Sequence, residues 1–185
     1  MLVLLIFLSF LAIGLFFWQS SNLISAIFGS PAVMMDKKVI VGALKLANLK
    51  KGDIFYDLGC GNGQVLIEAA KMGAKATGFE ISPYYYLLSK IRVFFWKSFN
   101  ILRCLQAFRI KSHIEIRFMN IKKADLSKAD VIYCYLLPKI LNEINFRKNQ
   151  RVVSIGFPVR KLKPIKTKIF KSHPIFIYSL SSRSV

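Results

Sequence analysis

Acidic residues are scarce: the 185-residue chain carries nine Asp and Glu against 28 Lys and Arg, a formal net charge of +19. No charged side chain of either sign precedes Asp36, so the whole excess belongs to residues 36–185. Cysteine is limited to Cys60, Cys104 and Cys134. An odd number at wide spacing, with no C-x-x-C pair, describes neither a disulfide framework nor a zinc site and leaves reduced thiols. The two histidines, His113 and His173, have no partner at a spacing suited to a metal or a nucleophile triad. No internal repeat is present, and the length leaves room for one domain and little more.

Apolar residues, by contrast, make up 54% of the chain. Met1–Trp18 is an almost unbroken apolar run of bilayer-spanning length; Gln19-Ser20-Ser21-Asn22 interrupts it and Leu23–Phe28 resumes it. A cleaved signal peptide would show a Lys or Arg n-region and a small-x-small cleavage site, and neither is evident. A buried core helix would normally show a polar face. The expectation is an uncleaved single-pass anchor over residues 1–29 and a domain over 30–185. Residues 19–29 have a second reading, an interfacial helix after the span. The basic flank starting at Lys37-Lys38 predicts that the domain lies on the cytoplasmic side.

Ser30-Pro31-Ala32-Val33-Met34-Met35 reads as a linker, and Asp36 as the cap of a helix over 37–47 with Ile40, Ala43, Leu44 and Ala47 on one face, packed on a sheet. A strand is predicted over Ile54–Leu58, a helix over Gln64–Met72 ended by Gly73, and a strand over 74–80. Ser82 and Pro83 open the next helix, which runs to about Ala107. Strand, helix, strand, helix requires a parallel sheet. Further strands are expected at Ile114–Met119, Val131–Leu137 and Arg151–Gly156, a short helix over Lys139–Asn145, and a terminal strand pair at Thr167–Lys171 and Ile175–Leu180. The helix from Pro83 mixes Tyr84-Tyr85-Tyr86 and Phe94-Phe95-Trp96 with Lys90, Arg92, Lys97, Arg103 and Arg109. It reads equally as a core helix with a solvated basic side or as a face resting on anionic lipid headgroups.

The chemistry concentrates in Asp57-Leu58-Gly59-Cys60-Gly61-Asn62-Gly63, at the predicted strand-to-helix turn. Three alternate glycines permit a sharp turn and close backbone approach to a ligand, and the next helix offers unpaired N–H groups. The spacing G-x-G-x-G is neither the dinucleotide fingerprint nor the P-loop. An acid ahead of it, with Glu80 closing the following strand, resembles the class I S-adenosylmethionine-dependent methyltransferases. The apolar N-terminal segment, SPAVMMD, DLGCGNG, GFEISP, ADVIYCYLLP and a later GFP together resemble the small membrane-associated protein-lysine methyltransferases related to the enzyme that modifies the ATP-synthase c subunit. Pro31 stands alone where that pattern has two prolines, and Asn120 replaces a usual acid.

The resemblance implies an α/β fold, a doubly wound, mostly parallel, seven-stranded Rossmann-like methyltransferase sheet following an N-terminal transmembrane helix. It implies S-adenosyl-L-methionine as cofactor and no metal. Its cofactor-binding residues would be Asp57 at the amino end, Gly59, Cys60, Gly61 and Gly63 in the loop, Glu80 on the ribose hydroxyls with Ile81 next to it in the chain, and Asn120 at the adenine amino group, with Met119 or Ile121 over the ring. On the acceptor side, Tyr135, Leu136 and Pro138 would position a lysine amine; Tyr133 and Tyr135 read equally as buried sheet residues. The implied partners are a protein substrate at the membrane and an anionic lipid surface. A lipid-soluble small molecule is the alternative acceptor. Nucleic acid, which the charge invites, is disfavoured by YLLP in place of an N/D-P-P-aromatic run.

Overall fold

The computed structural model describes residues 1–28, 33–103 and 113–180. Ser30, Pro31, Ala32, Cys104, Arg109 and the expected helix end near Ala107 lie outside them. Helix α1 (Leu2–Phe28) is continuous. The polar stretch Gln19–Asn22 therefore does not break it: Ser21 and Ser25, one turn apart, are buried against the domain at 1% and 3% exposure. Helix α2 (Lys37–Leu46) begins at Asp36, whose carboxylate accepts from the Lys38 N–H at 2.7 Å. It buries Val39, Ile40, Ala43 and Leu44 toward the core.

Strand β1 (Ile54–Leu58), helix α3 (Gln64–Lys71), strand β2 (Lys75–Glu80) and helix α4 (Pro83–Arg103) follow as the apolar pattern predicts. Strand β3 (Ile114–Phe118) leads into a 3₁₀ turn, Ile121–Lys123, which the pattern did not suggest. Strand β4 spans only Val131–Cys134. Its pairing ends at Cys134 on both sides, opposite Leu58 and Ser154, so Tyr135, Leu136 and Leu137 form a loop rather than the expected strand end. Pro138 then opens helix α5 (Pro138–Leu141), shorter and earlier than expected because proline suits a first helical turn. Strands β5 (Arg151–Ile155), β6 (Lys166–Phe170) and β7 (His173–Ser179) complete the chain.

The seven strands lie in the order β3-β2-β1-β4-β5-β7-β6. The first five are mutually parallel; β7 runs antiparallel to both β5 and β6. One face is covered by α2, α3 and α4 around Leu44, Phe55, Leu66 and Val131. The other is covered by α5, the 3₁₀ turn and adjoining loops around Leu58, Phe79, Ile132 and Leu141. Fully buried β-branched and aromatic strands are what a parallel sheet sandwiched between two layers demands. The order reverses between β1 and β4, so the carboxyl ends of these strands open a crevice where such sheets bind ligands.

Helix α4 resolves its dual reading in part. Ser89 and Val93 are buried, Lys97 Nζ donates to the Ile114 carbonyl at 3.2 Å, and Tyr86 packs on Phe118 with ring centroids 5.3 Å apart. The outward side carries exposed Leu87, Ile91, Phe94, Phe95 and Phe99 beside Lys90 and Arg92. The exposed side is thus chiefly apolar rather than simply basic.

Candidate active site

The crevice is lined by Asp57, Gly59, Cys60, Gly61, Asn62, Phe79, Glu80, Ile81, Asn120, Ile121, Tyr133, Tyr135 and Leu136. All of these come from the carboxyl ends of β1 to β4 and the segments that follow them. Gly59, Gly61 and Gly63 adopt φ of +84°, +51° and +76°, a left-handed conformation that side chains disfavour. The loop folds back on β2: the Gly59 and Cys60 N–H groups donate to the Phe79 carbonyl at 2.9 and 3.0 Å. Gly78 permits that approach, since a Cβ there would lie 2.6 Å from Leu66 Cδ1 and 2.7 Å from Cys60 Cβ. Asn62 accepts from the Gln64 N–H at 3.1 Å and so helps to start α3.

Glu80 is 6% exposed, and its carboxylate ties the loop to the next helix. One oxygen accepts from the Gly61 N–H at 2.8 Å; the other accepts from Ile81 and Ser82 at 3.0 and 2.8 Å. Burial raises its pKa against these three opposing hydrogen bonds. Asp57 is 2% exposed, and its Oδ2 has no hydrogen-bond partner. Burial first, and the Glu80 charge second, push its pKa to about 8. An orphaned buried carboxylate is costly unless a cation or donor completes it. Cys60 is buried under the loop, and burial pushes its thiol well above the ordinary range, which makes it a packing residue rather than a nucleophile.

The acceptor-side expectations separate. Tyr135 and Leu136 line the crevice, while Pro138 does not; it starts α5 and accepts from the Asn142 amide at 2.6 Å. Tyr133 is fully buried, and its hydroxyl donates to Met35 Sδ at 3.2 Å, so of the two tyrosines it is the sheet residue. Asn120 borders the crevice but spends its amide oxygen on the Lys122 N–H at 3.0 Å, capping the 3₁₀ turn. Ile121 lines the crevice and Met119 does not. Sequence reasoning missed Ser25, Val33, Met34, Met35 and Tyr85, which also line it. The SPAVMMD segment was read as a linker and as part of the resemblance but not as a pocket wall, and nothing in an apolar helix distinguishes a serine that faces protein. His173 was also passed over; its ring meets Tyr135 edge-on at 6.3 Å.

Comparison with known proteins agrees with this geometry. A family model described as the ANTKMT methyltransferase domain matches residues 57–166. A protein-lysine N-methyltransferase of Saccharolobus islandicus is 30% identical over 162 residues, covering 80% of this chain and 92% of that protein. The chain belongs to the ANTKMT methyltransferase domain family. The human ATP-synthase c-subunit lysine N-methyltransferase is 34% identical over 62 residues, 34% of this chain and 26% of that protein. Among solved structures, an RNA methyltransferase from Salinibacter ruber bound to S-adenosyl-L-homocysteine superposes with a TM-score of 0.70. It has 24% identity and covers 83% of this chain and 97% of that one; the likeness shows the fold.

As an ANTKMT-family methyltransferase the chain uses S-adenosyl-L-methionine, and the crevice fits that cofactor. A ligand bearing an ammonium and a sulfonium supplies the positive charge that the unpartnered Asp57 oxygen lacks. Space is left for it as well: a Cβ at Gly61 would meet nothing within 4 Å.

Proposed function

We propose that this methyltransferase is anchored in a membrane and methylates the ε-amine of lysine in a membrane or membrane-adjacent protein. In this reading residues 1–29 are the anchor and residues 30–185 the catalytic domain, on the cytoplasmic side. The observation that carries the lysine acceptor is the 30% identity to the Saccharolobus islandicus protein-lysine N-methyltransferase, sustained over 162 residues. The anchor is supported by Leu2–Ile27, an apolar stretch long enough to cross a bilayer, whose most apolar 18 residues have a mean hydropathy of 2.4 and are all unburied. A helix exposing Leu4, Phe7, Phe10, Ile13 and Phe16 has no stable place in water. Its C-terminal turns are seated on the catalytic domain, which favours retention over cleavage. Exposed Lys37 and Lys38 near its end support the cytoplasmic side, and they and the apolar outward side of α4 support contact with anionic lipid.

On the cofactor side, Asp57 would face the methionyl ammonium, and Glu80 would meet the ribose with the lone pair that its three backbone bonds leave free, on the oxygen that accepts only from Gly61. Gly59, Cys60, Gly61 and Gly63 contribute backbone, and Ile81, Asn120 and Ile121 border the adenine. The cofactor supplies an electrophilic sulfonium methyl. The acceptor nitrogen must be neutral to attack it, and the buried apolar lining from Met35, Ile40 and Leu136 disfavours the ammonium form. Tyr135 orients the amine through its hydroxyl, with Leu136 beside it. Pro138, which lies off the crevice, acts by fixing the loop that carries both. The protein's contribution is positioning and desolvation rather than covalent catalysis.

Incubating membranes with the full chain and methyl-labelled cofactor, then separating protein from lipid, tests this reading. Label in protein, released as methyl-lysine on hydrolysis, is expected. Label confined to lipid would replace the lysine acceptor by a lipid-soluble small molecule.

A further inference from the structure

We infer that α1 is a wall of the methyl-donor pocket as well as an anchor, and that cofactor is held fully only when its last two turns are seated on α4. The inference rests on the membrane reading only for where α1 lies; the wall itself follows from packing. Among the α1 residues whose burial is described, Ser21 and Ser25 alone are buried. They stand four residues apart and so share a face, while Leu23 and Ile27 point outward at 61% and 63% exposure. Small residues at this spacing let one helix approach another closely.

Two routes then join α1 to the crevice. Ser25 itself lines it, beside Met34, Met35 and Tyr85. Indirectly, the Ser21 hydroxyl accepts from the Tyr84 N–H at 3.2 Å. That N–H belongs to the first turn of α4, where backbone donors lack helical partners. The Tyr84 ring is held edge-on by Phe17 at 6.4 Å and in turn meets Tyr85 at 5.2 Å. Tyr85 carries the contact into the crevice wall. Helix α1 thus bears on the pocket through Ser25 directly and through Ser21, Tyr84 and Tyr85 in series. Where α1 sits along the bilayer normal sets whether this wall is in place, which couples donor loading to residence in the membrane. Ser21 is a positioning residue; Ser25 is a pocket residue.

The test uses the full chain in lipid nanodiscs and measures S-adenosyl-L-homocysteine affinity by calorimetry. Ser25→Trp should fill the pocket and Ser21→Leu should unseat the helix, each weakening binding by about tenfold or more. Leu23→Trp, on the outward face, should leave affinity within about twofold. Thermal melting of the domain at wild-type temperature in the Ser21→Leu form distinguishes lost seating from lost folding. Wild-type affinity in both serine variants would overturn the inference. Alkaline extraction of the same samples reports separately on anchoring: a chain that washes off membranes, yet loses affinity on Ser25→Trp, contradicts the membrane reading and not the wall.

Discussion

Asp57 carries the most exposed consequence of this site at the residue scale, because its carboxyl is buried, half unpartnered and raised in pKa to about 8. The folded, ligand-free protein therefore holds a proton there that the unfolded chain releases near pH 3.8. Stability from this group is full below that lower value and is lost as pH rises toward and through 8. A cationic ligand needs the carboxylate form, so its affinity should move the opposite way, rising about tenfold per pH unit up to about 8 and then levelling. Calorimetric titration of cofactor product at pH 6, 7, 8 and 8.5 checks the slope. Asp57→Asn should flatten it, lower affinity, and raise the melting temperature at pH 8, since a buried charge next to Glu80 has gone. A variant that loses both affinity and stability would mean that Asp57 is structural. Glu80 makes the contrasting case: its three backbone partners mean that Glu80→Ala should cost affinity and loosen the loop together. Charged hydrogen bonds contribute about 1.5–3 kcal/mol each, so a fall of tenfold or more is expected.

For the elements, the strand-to-helix turn was legible because its constraints are local. Glycine at three alternate positions, an acid before them and an acid closing the next strand can be read without knowing what packs on what, and β1, α3, β2 and the start of α4 lie where the pattern put them. Gly78 tests the packing beneath that turn. Gly78→Ala would press a methyl group into Leu66 and Cys60 and should destabilise the domain by about 1–3 kcal/mol, read from denaturant or thermal melts. The acceptor side was less legible. The apolar run to Leu137 looks like one strand, yet its pairing stops at Cys134, opposite Leu58, the last residue of β1, and Ser154, one residue before the end of β5. Ser21 and Ser25 were invisible as contacts, since a hydroxyl inside an apolar helix reads as tolerance, and only tertiary packing gives it a face. Tyr135 stands at that boundary. With its ring against His173 and close to Gly156, Tyr135→Phe should lower kcat while leaving cofactor affinity unchanged, a split that a purely structural tyrosine would not produce.

Across the whole molecule, the separation of charge from apolarity is the organising fact. An uncharged helix of 27 residues is joined to a domain that holds all of the +19 excess, and the crevice opens where the two meet. Such a molecule should remain in the membrane fraction through alkaline washing and bind anionic vesicles in a salt-sensitive way, whereas a free basic domain would be washed off. Methyl transfer to protein lysine at the membrane is tested most directly by quantitative mass spectrometry of membrane proteins. Membranes from cells with the intact chain should carry one-methyl mass increments on lysine that vanish without the chain and with its Asp57→Asn form. Identical lysine methylation in all three would contradict methyl transfer by this protein.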